Sequence, residues 1–260
     1  MLPLRDAAPT TRTPVVTLGI LVACALAFGY ELLVLVQGGD PALDGFIVQL
    51  GMVPADVVAW AESGDPLTGA PTGLLAHMFL HASWLHLMGN ALFLWIFAPR
   101  VENRLGRLGF LALYLLGGLA AAAGHVLADP TSDLPMIGAS GAVSAVMGGY
   151  VVLFPRARIQ SLVFLVFFYE LIAVPSVVVL GFWFALQLID GFASLGLTAE
   201  ASGGIAFWAH VGGFLAGLAL ALPLRFLQRH PARDGASAAA SMPEPAAAPP
   251  PPPPRGPSRQ

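Results

Sequence analysis

Two residues able to do chemistry lie where an apolar chain gives them least reason to be. Ser140 sits in Gly138-Ala139-Ser140-Gly141 at the head of one apolar run, and His210 lies alone in a later one. A serine hydroxyl attacks a carbonyl only when a base takes its proton, and imidazole is the commonest such base. His86 and Asn90 are four apart and share a helix face. Their ring and amide N–H groups are donors of the kind that stabilise an oxyanion. Ser140 also opens its helix, where unpaired backbone N–H groups and the positive dipole end favour negative charge. Together these types could perform acyl transfer to serine.

Those residues must be held by membrane helices. The 260 residues are 57% hydrophobic and only 10% charged, with a mean hydropathy of +0.76, which identifies a multi-pass membrane protein. A net charge of -3, with arginine as the only basic type beside histidine, argues against a nucleic-acid partner. The single cysteine, Cys24, excludes an intrachain disulfide. Apolar runs near the ~20 residues a span needs cover Val15 to Leu35, Leu85 to Val101, Leu108 to Leu127 and Ile205 to Leu224. A shorter run covers Ser140 to Phe154, and Pro175 interrupts the long stretch from Ile159 to Leu195. Arginines mark every second connection: Arg5 and Arg12, then Arg100, Arg104 and Arg107, then Arg156 and Arg158, then Arg225, Arg229 and Arg233. The positive-inside rule therefore requires one span, from about Pro175 to Leu195, in the long stretch. The expectation is an all-α bundle of six transmembrane helices over 15–229, with both termini cytoplasmic. Ile159 to Val174 is then an apolar connector lying at the cytoplasmic interface, 1–14 a cytoplasmic segment, and the Ala/Pro-rich 230–260 a disordered tail. Val15 to Leu35 reads as a retained anchor rather than a cleaved signal. Glu31 marks the outer interface of the first span, and the connection from Gln37 to Trp84 is long enough to suggest function.

Even-numbered spans in this arrangement begin at the outer face, so His86 with Asn90, Ser140, and His210 five residues into the last span converge on one depth. The run from Ser140 to Phe154 is about 22 Å long against a ~30 Å hydrocarbon core. Asp129 to Gly138 must therefore dip inward as irregular backbone lining a wet cavity. Gly141, Ala145 and Gly149 on one helix and Gly213 and Gly217 on another have the small-residue spacing that allows backbones to touch. Such an approach would bring Ser140 to His210. No acidic third member is evident at that depth. His77 and His81 have a spacing seen in zinc sites, but Met78 stands where a His-Glu-x-x-His motif has glutamate, and no carboxylate ligand is near, so no metal is expected. His125 reads as structural.

The residues resemble the signature of the rhomboid family of intramembrane serine proteases. The histidine-rich motif is His77 through Asn90, with His81 and His86; Gly-x-Ser-Gly is Gly138, Ser140 and Gly141; and Ala-His-x-x-Gly-x-x-x-Gly is Ala209, His210, Gly213 and Gly217. The resemblance spans roughly Val15 to Leu224. It implies a Ser140 nucleophile, a His210 base, an oxyanion site of His86 and Asn90, and transmembrane protein segments as substrates, without a cofactor. It also implies lateral access beside the fifth helix, gated by Phe182, Trp183 and Phe184. Ser144 stands where some members carry a tyrosine stacked on the histidine, and the first loop lacks the Trp-Arg pair of some members. An inert rhomboid-like binder of membrane proteins and a transporter are the alternative readings. The first should have lost Ser140 or His210, and the second should show an internal repeat; neither feature is found. The expected location is a bacterial plasma membrane, with the lipid bilayer as the solvent. Small-residue faces would permit self-association without fixing an oligomeric state.

Overall fold

The computed structural model describes residues 2–8, 10, 12–65, 69–165, 168–195 and 205–227. Helix α1 covers Val15–Leu50, α2 Pro54–Ser63, α3 Ala70–Ala76, α4 Trp84–Ala128, α5 Ser140–Leu153, α6 Ser176–Ser194 and α7 Phe207–Leu227. Among the described residues four helices, α1, α4, α6 and α7, are long and apolar enough to cross a membrane, and α5 is a shorter apolar one. Leu26, Leu116, Ile189 and Phe192 are exposed on their surfaces. Large apolar side chains facing outward on several helices suit hydrocarbon as the solvent.

Two of the long helices change direction at glycine. The backbone of α4 leaves helical geometry at Gly106, where φ is 76° and ψ 169°, a conformation open to glycine but strained for a residue with a Cβ. The stretches on either side correspond to the second and third apolar runs. In α1 the break is at Gly39, and Pro41 follows at the start of the new segment, where its missing N–H and fixed φ cost little. The connection expected from Gln37 to Trp84 is accordingly mostly helical. It consists of the end of α1, α2, α3 and a 3₁₀ turn at His77–Phe79.

The bundle is organised around α5. Every residue from Gly141 to Tyr150 is buried, as expected for a helix apolar on all sides. Close packing on both sides depends on missing side chains. A Cβ at Gly213 would collide with the Gly141 carbonyl, one at Gly217 with the Ala145 carbonyl, and one at Gly117 of α4 with the Ala145 Cβ. Backbones that approach this closely gain dispersion and remove bulk between helices, which is how helices associate when lipid offers no hydrophobic drive.

The bundle is not all-helical as expected. Strands β1 (Leu2–Asp6), β2 (Arg158–Leu165) and β3 (Phe168–Pro175) form an antiparallel sheet in the order β1-β2-β3. The 159–174 connector is therefore a hairpin, in register from Arg158↔Pro175 to Leu165↔Phe168. Its Ile, Val, Phe and Tyr residues favour the pleated conformation over helix, and β1 pairs with it across more than 150 residues of chain. Asp6 fastens the sheet to the bundle. It accepts from the Tyr150 hydroxyl at 2.5 Å and pairs with Arg100 at 3.2 Å, while the Arg100 guanidinium lies 4.3 Å from the Phe154 ring centre. The 230–260 tail lies outside the described residues.

Helix α1 has no capping side chain of its own. Its cap is Glu102 of α4, a buried carboxylate that accepts from the Val16 N–H at 2.9 Å, the Thr17 N–H at 2.8 Å and the Thr17 hydroxyl at 2.7 Å. It satisfies donors that every helix leaves unpaired at its N-terminus and places negative charge at the positive end of the dipole. Glu102→Ala should therefore destabilise the detergent-solubilised protein by about 2–4 kcal/mol, and Glu102→Gln by less. An unchanged thermal unfolding midpoint in Glu102→Ala would show that the cap contributes nothing.

Candidate active site

Ser140 is the first residue of α5, and His210 lies in the first turn of α7. Because the two helices touch through Gly141 and Gly213, one residue and three residues further along, both side chains emerge at the same end of the contact. His210 Nε2 is 2.8 Å from Ser140 Oγ. That is hydrogen-bond distance for a hydroxyl donating to an imidazole nitrogen.

The irregular segment in front of Ser140 is fixed by backbone hydrogen bonds. Met136 and Met52 exchange N–H···O bonds of 2.8 and 3.0 Å, and the Gly138 N–H donates to the His77 carbonyl at 2.8 Å. Gly138 has φ 128°, and a Cβ there would lie 2.7 Å from the His86 ring. Backbone conformation and the neighbouring imidazole thus each require glycine. As the first helical residue, Ser140 has a backbone N–H without an intrahelical acceptor.

His86 and Asn90, in the first two turns of α4, face this point. With Ser140, Ser144, Trp183 and His210 they line a cavity of about 220 Å³, whose remaining wall is largely apolar. The Asn90 amide nitrogen is buried and meets no acceptor among the described residues. An unpaired buried donor is costly and ordinarily has a purpose. The His86 ring is steadied edge-on by His81, with centroids 5.2 Å apart.

The structure therefore brings together Ser140, His210, His86, Asn90 and the glycines Gly138, Gly141, Gly213 and Gly217. It does not bring together the three aromatic residues Phe182, Trp183 and Phe184. Consecutive residues of a helix point ~100° apart. Trp183 lines the cavity, with its ring centre 6.0 Å from that of His210; Phe184 stacks on Phe214 at 4.6 Å; and Phe182 is exposed. Ser144 turns its hydroxyl to the Ser140 carbonyl at 2.6 Å, not to the imidazole.

Two partners were not anticipated from the chain. Gln187 of α6 places its Oε1 2.6 Å from His210 Nδ1. Its position four residues after Trp183 on one helix face is the only trace in the sequence, and that spacing alone is too common to single it out. Glu31 is buried rather than exposed at an interface. It accepts the His81 N–H at 3.1 and 3.2 Å, and so fixes the chain just before α4.

Comparison with known proteins identifies relatives of the chain. The family model for the Rhomboid domain matches residues 68–226. The rhomboid YdcA of Bacillus subtilis (strain 168) is 33% identical over 102 residues, covering 36% of this chain and 49% of its own. The rhomboid protease GluP of the same organism is 34% identical over 152 residues, or 58% of this chain and 26% of its own. Rhomboid protein 1 of Saccharomyces cerevisiae mitochondria is 30% identical over 149 residues, or 56% and 39%. The matched stretch covers less than half the length of each of these relatives.

The histidines supporting the site are held neutral. Burial pushes His77 and His81 down to about 4 from the ordinary 6.5, and each ring meets a carbonyl through Nδ1, His77 that of Gly73 at 2.9 Å and His81 that of Phe79 at 3.1 Å. Between pH 6.5 and 4 the unfolded chain binds protons that the folded one refuses, so stability falls as pH is lowered through this window. Thermal unfolding midpoints should decline over that range, and the decline should be shallower in His77→Gln. Equal slopes in the two proteins would remove His77 from the effect.

Proposed function

Because the chain belongs to the rhomboid family, we propose that it is an intramembrane serine endopeptidase that cleaves transmembrane segments of membrane proteins with a Ser140–His210 dyad. The observation that carries this reading is the 2.8 Å contact between His210 Nε2 and Ser140 Oγ at the wall of a cavity. Ser140 Oγ attacks the substrate carbonyl as its proton passes to His210 Nε2. The oxyanion so formed is held by the Asn90 amide, the His86 ring and the Ser140 N–H. Collapse of the intermediate breaks the C–N bond, with the imidazolium returning its proton to the leaving amine. Water activated by the same imidazole then hydrolyses the acyl ester and restores the serine.

In this reading the chain crosses the membrane six times, through α1, the two segments of α4 on either side of Gly106, α5, α6 and α7. Both termini then lie in the cytoplasm and the site near the outer face, which the arginine placement supports, and the membrane is a bacterial plasma membrane. A substrate helix enters laterally between α4 and α6, which both contribute to the cavity lining, with Trp183 as the gating side chain. Segments that unwind readily are preferred, because a helix hides its carbonyls in its own hydrogen bonds.

The purified protein should cleave a transmembrane model substrate and be labelled by a fluorophosphonate. Ser140→Ala and His210→Ala should abolish cleavage, and Ser140→Ala should abolish labelling, while both variants remain folded. Cleavage that survives in Ser140→Ala would overturn the serine mechanism. Inactivity and absence of labelling in folded wild-type protein across several substrates would favour an inert binder of membrane helices.

Asn90→Ala should lower kcat about 10²–10³-fold with little change in KM, because the donor acts on charge that develops only in the transition state. A change confined to KM would instead make Asn90 a ground-state binding residue.

A further inference from the structure

We propose that Gln187 is the positioning residue for His210, completing a hydrogen-bonded Ser140–His210–Gln187 triad in which a neutral amide stands where an acid would. This inference rests on the serine protease reading above. An imidazole has one N–H and one lone pair when neutral, and only the tautomer protonated at Nδ1 leaves Nε2 able to receive the serine proton. Gln187 Oε1, 2.6 Å from Nδ1, can only accept. It therefore selects the Nδ1–H tautomer and aims Nε2 at Ser140 Oγ, 2.8 Å away.

The surroundings leave this duty to α6. Helices α5 and α7 contain no Asp or Glu, α4 has only Glu102, which caps α1, and α6 has only Asp190, which is exposed. The other titratable groups that act on His210 are the imidazoles of His86 and His125, both on α4. Ser144, four residues after Ser140, gives its hydroxyl to the Ser140 carbonyl and holds nothing of the ring. Trp183, one turn before Gln187 on the same face, covers the ring from that side. An amide suits this place because a buried carboxylate would pay a large desolvation cost, whereas a carbonyl dipole orients the ring and favours the imidazolium at far less expense.

The test compares wild type with Gln187→Leu and Gln187→Glu, using full-length protein in detergent or proteoliposomes, by kcat and KM across pH and by ¹⁵N NMR of the His210 imidazole. Gln187→Leu should lower kcat about 10²-fold with KM within about twofold, and its ¹⁵N shifts should lose the single Nδ1–H tautomer of wild type. Gln187→Glu should recover most of kcat and move the acid limb of the kcat profile to higher pH, because a carboxylate beside Nδ1 favours the protonated ring. Unchanged kcat in folded Gln187→Leu would overturn the proposal. So would a loss that Glu does not restore, accompanied by an unchanged tautomer signal. If wild type itself neither cleaves nor labels, the protease reading fails, and the tautomer measurement alone still decides whether Gln187 sets the state of His210.

Discussion

The separation of α5 and α7 is set by backbone meeting backbone. Gly213 lies on the Gly141 carbonyl and Gly217 on that of Ala145, so no side chain can act as a spacer or adjust. The hydrogen bond between Ser140 and His210 inherits that distance, because each residue stands at most three positions from a contact glycine. A methyl group inserted here would push the helices apart by more than a hydrogen bond can tolerate. Since hydrocarbon offers helices no hydrophobic reason to associate, the packing of small residues both holds the bundle and defines the site.

A second constraint follows from burial. Polar groups away from water must find partners, and several around the site do so within the protein. Glu102 takes the donors at the start of α1, Glu31 takes the His81 N–H, and His77 both gives its ring N–H to Gly73 and receives the Gly138 N–H on its carbonyl. These bonds connect the segments before α4 and α5 into one frame. Against that background the Asn90 amide nitrogen, which like His81 Nε2 meets no partner among the described residues, is informative because it faces the cavity that Ser140 and His210 line.

Much of this was legible in the sequence where a residue type leaves no alternative. Gly141, Gly213 and Gly217 are read from spacing because small residues permit the approach, and Ser140 and His210 are conspicuous because polar groups in apolar helices are expensive. The illegible parts depend on partners remote in the chain. Nothing near Leu2 announces that it will pair with Leu162, and 159–174 is apolar enough to read as interfacial when pairing makes it a hairpin. Glu31 and Glu102 resemble boundary residues in hydropathy, because their value lies in the N–H groups they meet. Gln187 was hidden for a related reason. An amide in a span is a weak signal until the rotation of α6 about its axis is known.

That rotation gives α6 two duties that pull against each other. The helix packs chiefly on α7 through Phe184 and Phe214, and the Gln187 contact to His210 crosses the same interface. On the serine protease reading, an α6 that moved aside as a rigid body to admit a substrate would carry Gln187 away from His210 Nδ1 and break the hydrogen bond that orients the imidazole. On that reading, the motion that preserves the contact is a pivot about the Phe184–Phe214 and Gln187–His210 contacts, or a turn of the Trp183 side chain alone. Trp183, which lines the cavity, and Gln187, which meets His210, sit one turn apart on one face, so on that reading the wall can yield at Trp183 without disturbing the bond one turn further along.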